Sequence, residues 1–331
     1  MNAEFQFLGH QRGWILFHIQ KFIHSHRRQL LRPCDLSEIY ALYSSLRSTY
    51  HHPIYNRYSL YWVLGYIIEQ TYKSKIEDSD FVLLLLHSLL ENDGHIGFLF
   101  TLSEDLTSSF QSSTILGYYL EHANRKAVLL GDVRIPCAKV FDDYHWIYPL
   151  EFAIQLKSPV ILHELLRYGA IWSHESYRSC LRSKNLNPNM YIRDICRDLL
   201  RQIVHSFSLH NPELDHLYNL NIHERSSCEK LISCGTLILR DSGLYSSKMF
   251  RRKKIGETYL ANSQMVSTLL AKLGTVAWPS FSDRFNQPMT LKHTSKLTIR
   301  RILNGNWHLP QGIYHLSLPR CLEKYLDLVE D

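Results

Sequence analysis

The chain has 331 residues, 45% of them hydrophobic and 21% charged, with a net charge of +6. That length buries a sizeable core, and the apolar fraction with its mixed charge excludes intrinsic disorder. Spread over this length, the positive excess is a mild bias rather than a nucleic-acid footprint, so no nucleic-acid partner is expected.

At the start, Met1 to Gln6 shows no basic segment followed by an apolar one, so no signal peptide is expected. Residues 1–110 read as an N-terminal helical region. Its aromatic side chains, Trp14, Tyr50, Tyr55, Tyr58, Tyr61 and Trp62, are assigned to core, with a docking surface as the alternative. Helical spacing of apolar residues predicts helices over Leu60–Ile68 and Phe81–Leu90, the second capped by Asp80. Phe81 to Leu86 is the longest apolar stretch, and it is broken at once by His87 and then Glu91, so no membrane span is expected. Further helices are predicted over Ile115–Leu120, Leu150–Leu156, Val160–Leu166, Tyr191–Val204 and Tyr259–Leu273. Extended alternation with a period of two is hard to find, so the fold class is all-α. Short helices joined by polar turns point to a solenoid rather than a bundle of long rods. Residues 274–287 carry two prolines and little periodicity, and read as a junction to a small C-terminal module at 288–331.

The chemistry-bearing motifs are sparse. Glycine numbers 14, and neither Gly-x-Gly-x-x-Gly nor a phosphate-binding Gly-rich loop occurs, so no cofactor is expected. The one Ser-x-x-Lys, Ser227 to Lys230, lacks the companion motifs of a nucleophilic serine, and no catalytic residue is assigned. His24 with His26, His51 with His52, and His223 with Cys228 and Cys234 all lack zinc-finger spacing, so no metal is expected. The basic run Arg251 to Lys254 is read as a solvated loop, with a nuclear import signal as the alternative. Seven cysteines, an odd number, are scattered without a Cys-x-x-Cys. That favours a reducing compartment, so the expected location is cytoplasmic, with the nucleus as a second site.

Tyr148 to Ala170 resembles one ankyrin repeat. Pro149 and Leu150 open the first helix, and Ala153 sits where two helices approach closely. Ile161, Leu162, Leu165 and Leu166 form the buried stripe of the second helix. Gly169, twenty residues after Pro149, supplies the left-handed C-cap. Tyr148, Glu151 and Lys157 replace the usual Thr, His and turn glycine. A paired-aliphatic marker then recurs at Leu129-Leu130, Leu165-Leu166, Leu199-Leu200 and Leu231-Ile232, spaced by 36, 34 and 32 residues. Gly235 follows the last pair in the phase of Gly169, and Leu85-Leu86 and Leu89-Leu90 mark an earlier unit. The expectation is a degenerate ankyrin array over 111–273, clearest at 148–170, with 1–110 a more divergent extension.

The most informative stretch is Thr290 to Leu303. On a helix begun by Pro288, Leu291, Thr294, Ser295, Thr298, Ile299 and Ile302 share one face. Half of that face is apolar and half small and polar, as suits a helix lying in another protein's groove. Thr290, Leu291, Ser295 and Ile299 resemble the elongin-binding box of a SOCS box, with Ser295 in place of the more usual cysteine. The Ile299-Arg300 pair and the stretch Leu309 to Leu326 resemble the rest of that module, a three-helix SOCS box. Leu316, Leu318 and Pro319 stand at its cullin-selecting motif, with Ser317 where the first proline would be. Leu322, Tyr325 and Leu326 complete the closing helix.

A helical ankyrin solenoid followed by a terminal SOCS box resembles the ankyrin repeat and SOCS box family. The resemblance implies a non-catalytic substrate receptor of a ubiquitin ligase. Thr290, Leu291, Ser295 and Ile299 would bind elongin C, with elongin B as its companion. Leu316, Leu318 and Pro319 would meet cullin-5 with its RING partner. The ankyrin surface would hold a protein substrate that the residues do not name. The alternative is an ankyrin scaffold that binds elongin without ligase output.

Overall fold

The computed structural model describes residues 21, 31–49, 57–91, 99–100, 115–130, 133–138, 140–142, 145–171, 222–241 and 290–329. The described chain is predominantly helical. Two compact units divide it, Met1–Lys126 and Ala127–Asp331. The helices predicted over Tyr191–Val204 and Tyr259–Leu273 lie outside the described residues. So do Leu199-Leu200, Arg251 to Lys254, the junction 274–287, Pro288, and Trp14, Tyr50 and Tyr55. No described helix is long and apolar enough to cross a membrane.

The first unit contains α1 (Pro33–Thr49), α2 (Arg57–Lys73), α3 (Ser79–Glu91) and α4 (Ile115–Arg125). Their buried residues fall at helical spacing. Val82, Leu85, Leu86 and Leu89 line one side of α3, and Val63, Leu64, Ile67 and Ile68 one side of α2. Leu36 and Tyr43 of α1 and Ile115, Leu116 and Tyr119 of α4 complete an apolar core. The cap of α3 is Asp78 rather than Asp80. Its carboxylate accepts from the backbone N–H groups of Asp80 and Phe81 at 3.0 and 3.3 Å. A cap must precede the helix so that its carboxylate can fold back on the first N–H groups, and Asp80 already lies inside.

The second unit begins with two short antiparallel hairpins, which sequence periodicity did not predict. β1 (Leu129–Leu130) pairs with β2 (Val133–Arg134), and β3 (Val140–Asp142) pairs with β4 (His145–Ile147). Strands of two or three residues are too short to display an alternation. Leu129-Leu130 is therefore extended, and does not match the helical pair Leu165-Leu166. The chain has left α4 by then, turning over at Ala127 with a φ of 50°.

A helical hairpin follows, α5 (Pro149–Gln155) and α6 (Pro159–Arg167). Both start on proline, whose missing N–H costs nothing in a first turn. The Ser158 side chain accepts from the Ile161 N–H, capping α6. Lys157, at the turn-glycine position, takes a left-handed φ of 53°. Ala153, Ile161, Leu162, Leu165 and Leu166 are all buried, as expected. Gly169 ends α6 with a φ of +83°, and Ala170 N–H returns to the Leu165 carbonyl at 2.8 Å.

α7 (Ile222–Asp241) packs on α6 through a stripe that includes Leu231, Cys234, Leu237 and Ile238. Gly235, which follows Leu231-Ile232 in the phase of Gly169, does not end this helix as Gly169 ends α6. It sits inside, because the apolar stripe continues past it through Leu237 and Ile238, and burial of those side chains outweighs a glycine's cost of about 1 kcal/mol. The chain closes with α8 (Leu291–Gly305), α9 (Gln311–Tyr314) and α10 (Arg320–Leu326).

Candidate functional site

α8 is built by local chemistry. The Thr290 side chain accepts from the His293 N–H at 3.2 Å, so Thr290 is the N-cap and the helix starts at Leu291. The helix divides lengthwise. His293, Lys296, Arg300 and Leu303 are buried on one side. On the other, Leu291 is 82% exposed and Ile302 58% exposed, with Thr294, Ser295 and Thr298 also exposed between them. The hydroxyls of Thr294 and Thr298 donate back to the carbonyls of Thr290 and Thr294 at 3.2 and 3.0 Å. Those donors are thus satisfied within the helix, which lowers the cost of covering this face.

Ile299 differs from its neighbours. It is half-buried and packs against the small core of Leu303, Leu309, Ile313 and Leu326. Leu318 packs there too, whereas Leu316 and Pro319 are exposed, Pro319 preceding α10. The positions predicted for elongin binding thus share α8 and its cap, and those predicted for the cullin share the α9–α10 connection. Ile299 and Leu318 serve the segment's own core as well. Ser317 has a φ of 52°, a left-handed value that a proline ring cannot reach.

The covered side of α8 holds residues whose roles sequence reasoning did not find. The Arg300 guanidinium donates through Nη1 to the Leu326 carbonyl at 2.7 Å and through Nη2 to the Leu166 carbonyl at 2.6 Å. Its Nε lies 3.4 Å from the carboxylate of Asp241. Burial pushes the Asp241 carboxyl up, while the charges of Arg300 and Lys296 draw it back down. One turn further on, Asn304 donates through Nδ2 to the Gly169 carbonyl at 3.1 Å and accepts from Arg134. A Cβ on Gly169 would lie 2.1 Å from Asn304 Oδ1, so this glycine is required twice, for its backbone and for the seat it offers.

Past α10, the Asp327 carboxylate accepts from Arg167 Nε at 3.0 and 3.1 Å and from the Tyr314 hydroxyl at 2.7 Å. Burial opposes the charge of Arg167, but Asp327 and then Glu164 outweigh it and raise its pKa. The Asp327 carbonyl lies 3.0 Å from His163 Nε2, and burial holds that imidazole below its ordinary value. From α7, Arg240 donates to the carbonyls of Leu328 and Val329, both at 3.2 Å. Lys292 and Lys296 each place an ammonium 4.1 Å from the Tyr325 ring centre. No local signal marks these pairings, because Arg300 and Leu166 are 134 positions apart and Arg167 and Asp327 are 160 apart.

The family described as SOCS box matches residues 287–327. Over 47 residues the chain is 45% identical to ankyrin repeat and SOCS box protein 17 of Bos taurus, and equally so to that of Canis lupus familiaris. Those 47 residues are 14% of this chain and only 16% of the relatives' length, and they fall in the SOCS box region. No solved structure matches. The match covers residues 287–327, and the described part of it folds as the three helices α8, α9 and α10, with Leu291 and Ser295 exposed on the first and Ile299 turned toward the small core.

Proposed function

We propose that the protein is a substrate-recognition subunit of a ubiquitin ligase built on elongin B, elongin C, cullin-5 and its RING partner. In this reading the chain does no bond chemistry of its own. It brings a protein substrate, held by a degenerate ankyrin array, near a charged ubiquitin-conjugating enzyme, and acts by proximity. The compartment we propose is the cytoplasm, on the odd number of scattered cysteines.

The observation that carries the reading is Leu291. A leucine 82% exposed at the head of a helix whose opposite side is buried, beside small residues, is an anchor awaiting a pocket. Burying it is worth about 1.5–3 kcal/mol. Losing such an anchor weakens binding by about ten-fold to a hundred-fold. Thr290, Ser295 and Ile299 would complete the elongin C surface, and Leu316, Leu318 and Pro319 the cullin surface. Co-purification of elongin C with the full chain tests this. Leu291→Ala with Ser295→Phe is expected to abolish it, and unchanged co-purification refutes the reading.

A second reading, an elongin-binding scaffold without ligase output, is favoured by Ser317. The left-handed backbone there departs from anything a proline-bearing cullin motif can adopt. An assay of ubiquitin chains on immunoprecipitated receptor separates the two: chains support the ligase, and elongin without cullin supports the scaffold.

A further inference from the structure

Arg300 stands where three helices end. Leu166 is the penultimate residue of α6, Leu326 the last of α10 and Asp241 the last of α7. Each helix leaves its final carbonyls without intrahelical partners and carries partial negative charge at that end. A guanidinium is a planar fork of fixed geometry, so it can serve two carbonyls and a carboxylate at once, which an ammonium on a flexible stem cannot do with the same alignment. Arg300 is 5% exposed and meets all three. The Asn304–Gly169 bond one turn along ties α8 to the end of α6, and the Arg167–Asp327 pair ties α6 to the end of α10.

We infer that Arg300 is a positioning residue: it locks the elongin-binding helix to the repeat at 148–170, and so fixes the direction in which the adaptor-binding face points relative to the ankyrin surface. The inference rests on the receptor reading and deepens it. Leu291 and Arg300 project from opposite sides of one rigid helix, so any rotation at the clasp turns the adaptor face with it. Elongin C would still find its leucine. The attached ligase arm would point elsewhere, and transfer that depends on proximity is sensitive to displacements on the ångström scale.

The test uses the full chain reconstituted with elongin B/C, cullin-5, its RING partner and the ubiquitin enzymes. The receptor's own lysines serve as acceptors. Arg300→Met, Arg300→Lys and the double variant Arg167→Met/Asn304→Ala are compared with the unaltered chain. Leu86→Val, a mild core change in the first unit, controls for lost stability. Expected for Arg300→Met and the double variant is retained elongin C, ubiquitin transfer per bound elongin lowered by about ten-fold, and a changed set of modified lysines. Arg300→Lys does not restore the original set, and Leu86→Val leaves it unchanged. If Arg300→Met does not fold, the double variant decides. An unchanged lysine set at unchanged yield in a variant that holds elongin overturns the inference. Absence of elongin C from the unaltered chain would instead sink the receptor reading. In that event hydrogen exchange still judges the clasp: amides at the end of α6 and along α8 should lose protection together in the double variant, and independent behaviour overturns it.

Discussion

The first unit and the SOCS box solve the same packing problem by different means. In α1 to α4, helix faces rich in aliphatic and tyrosine side chains close on one another, and much of the polar work is done inside the same unit, as by Tyr118 donating to the Ile76 carbonyl at 2.6 Å. In the SOCS box the apolar core has four members, Leu303, Leu309, Ile313 and Leu326, and its surroundings include the buried His293, Lys296, Arg300 and Asp327. Three short helices cannot enclose enough apolar surface by themselves. This one draws on the ends of α6 and α7, through charge-assisted hydrogen bonds that are stronger than neutral ones. The lesson is that the module's surface splits by purpose: one side is spent on staying folded against α6 and α7, and the other remains uncovered.

The sharpest way to break the comparison is to remove Arg300. Arg300→Ala strands the Asp241 carboxylate and the Leu326 carbonyl, leaves the Leu166 carbonyl with the Gly169 N–H at 3.0 Å, and is expected to cost about 3–5 kcal/mol. Hydrogen exchange should show the loss in α8 and α10 and not in α2 or α3. Equal loss in both units would erase the distinction drawn here.

Next in size is Gly169→Ala. The left-handed backbone alone costs an alanine about 1–2 kcal/mol, and the new methyl collides with Asn304. Thermal unfolding of Gly169→Ala, Asn304→Ala and the double variant forms a cycle. The double variant should be more stable than the sum of the single losses predicts. Strict additivity would mean that α8 and the end of α6 do not meet at this point.

Acid should loosen the two regions through different histidines. His163, in α6, faces Asp327, Arg167 and Arg300, and His122, in α4, faces Arg125, Glu121, Asp78 and Glu77. Burial depresses both pKa values, so each folded state prefers the neutral ring. Their contributions are fully present above the ordinary value of about 6.5 and are lost as pH falls below it. Chemical denaturation at pH 7.5 and pH 5.5 should therefore show a loss that His163→Gln reduces for the second unit and His122→Gln for the first. Asp241, raised by burial, has the opposite sign, and an Asp241→Asn background separates the two effects. A pH response untouched by either histidine substitution would contradict the assignment.

The smallest expected effect on stability is that of Leu291→Ala. An exposed side chain contributes within about 0.5 kcal/mol of nothing to the isolated fold. A large fall in melting temperature would show that Leu291 is covered by this chain and not available to a partner.

Much of the local structure was legible from residue types alone. Pro149 marks a helix start and Gly169 a helix stop, and both stand where the pattern places them; on the predicted face of α8, Leu291, Thr294, Ser295, Thr298 and Ile302 are exposed, whereas Ile299 is half-buried in the module's own core. Errors arose where a local signal met a stronger neighbour. Asp80 yielded its capping role to Asp78, Gly235 was overridden by the apolar stripe around it, and Leu129-Leu130 was drawn into a hairpin.

Helix periods, caps and the elongin-box pattern depend on residues within a few turns of one another, so the amino-acid order alone determined them. The use of Arg300, Asn304 and Asp327 was decided only in the folded chain. Their partners, Leu166, Gly169 and Arg167, lie 134, 135 and 160 positions away, where periodicity carries no information. A backbone carbonyl, moreover, is the same chemical group in every residue. Only its position at the end of a helix, brought beside a buried guanidinium by the packing of α6, α7 and α10, makes it a partner.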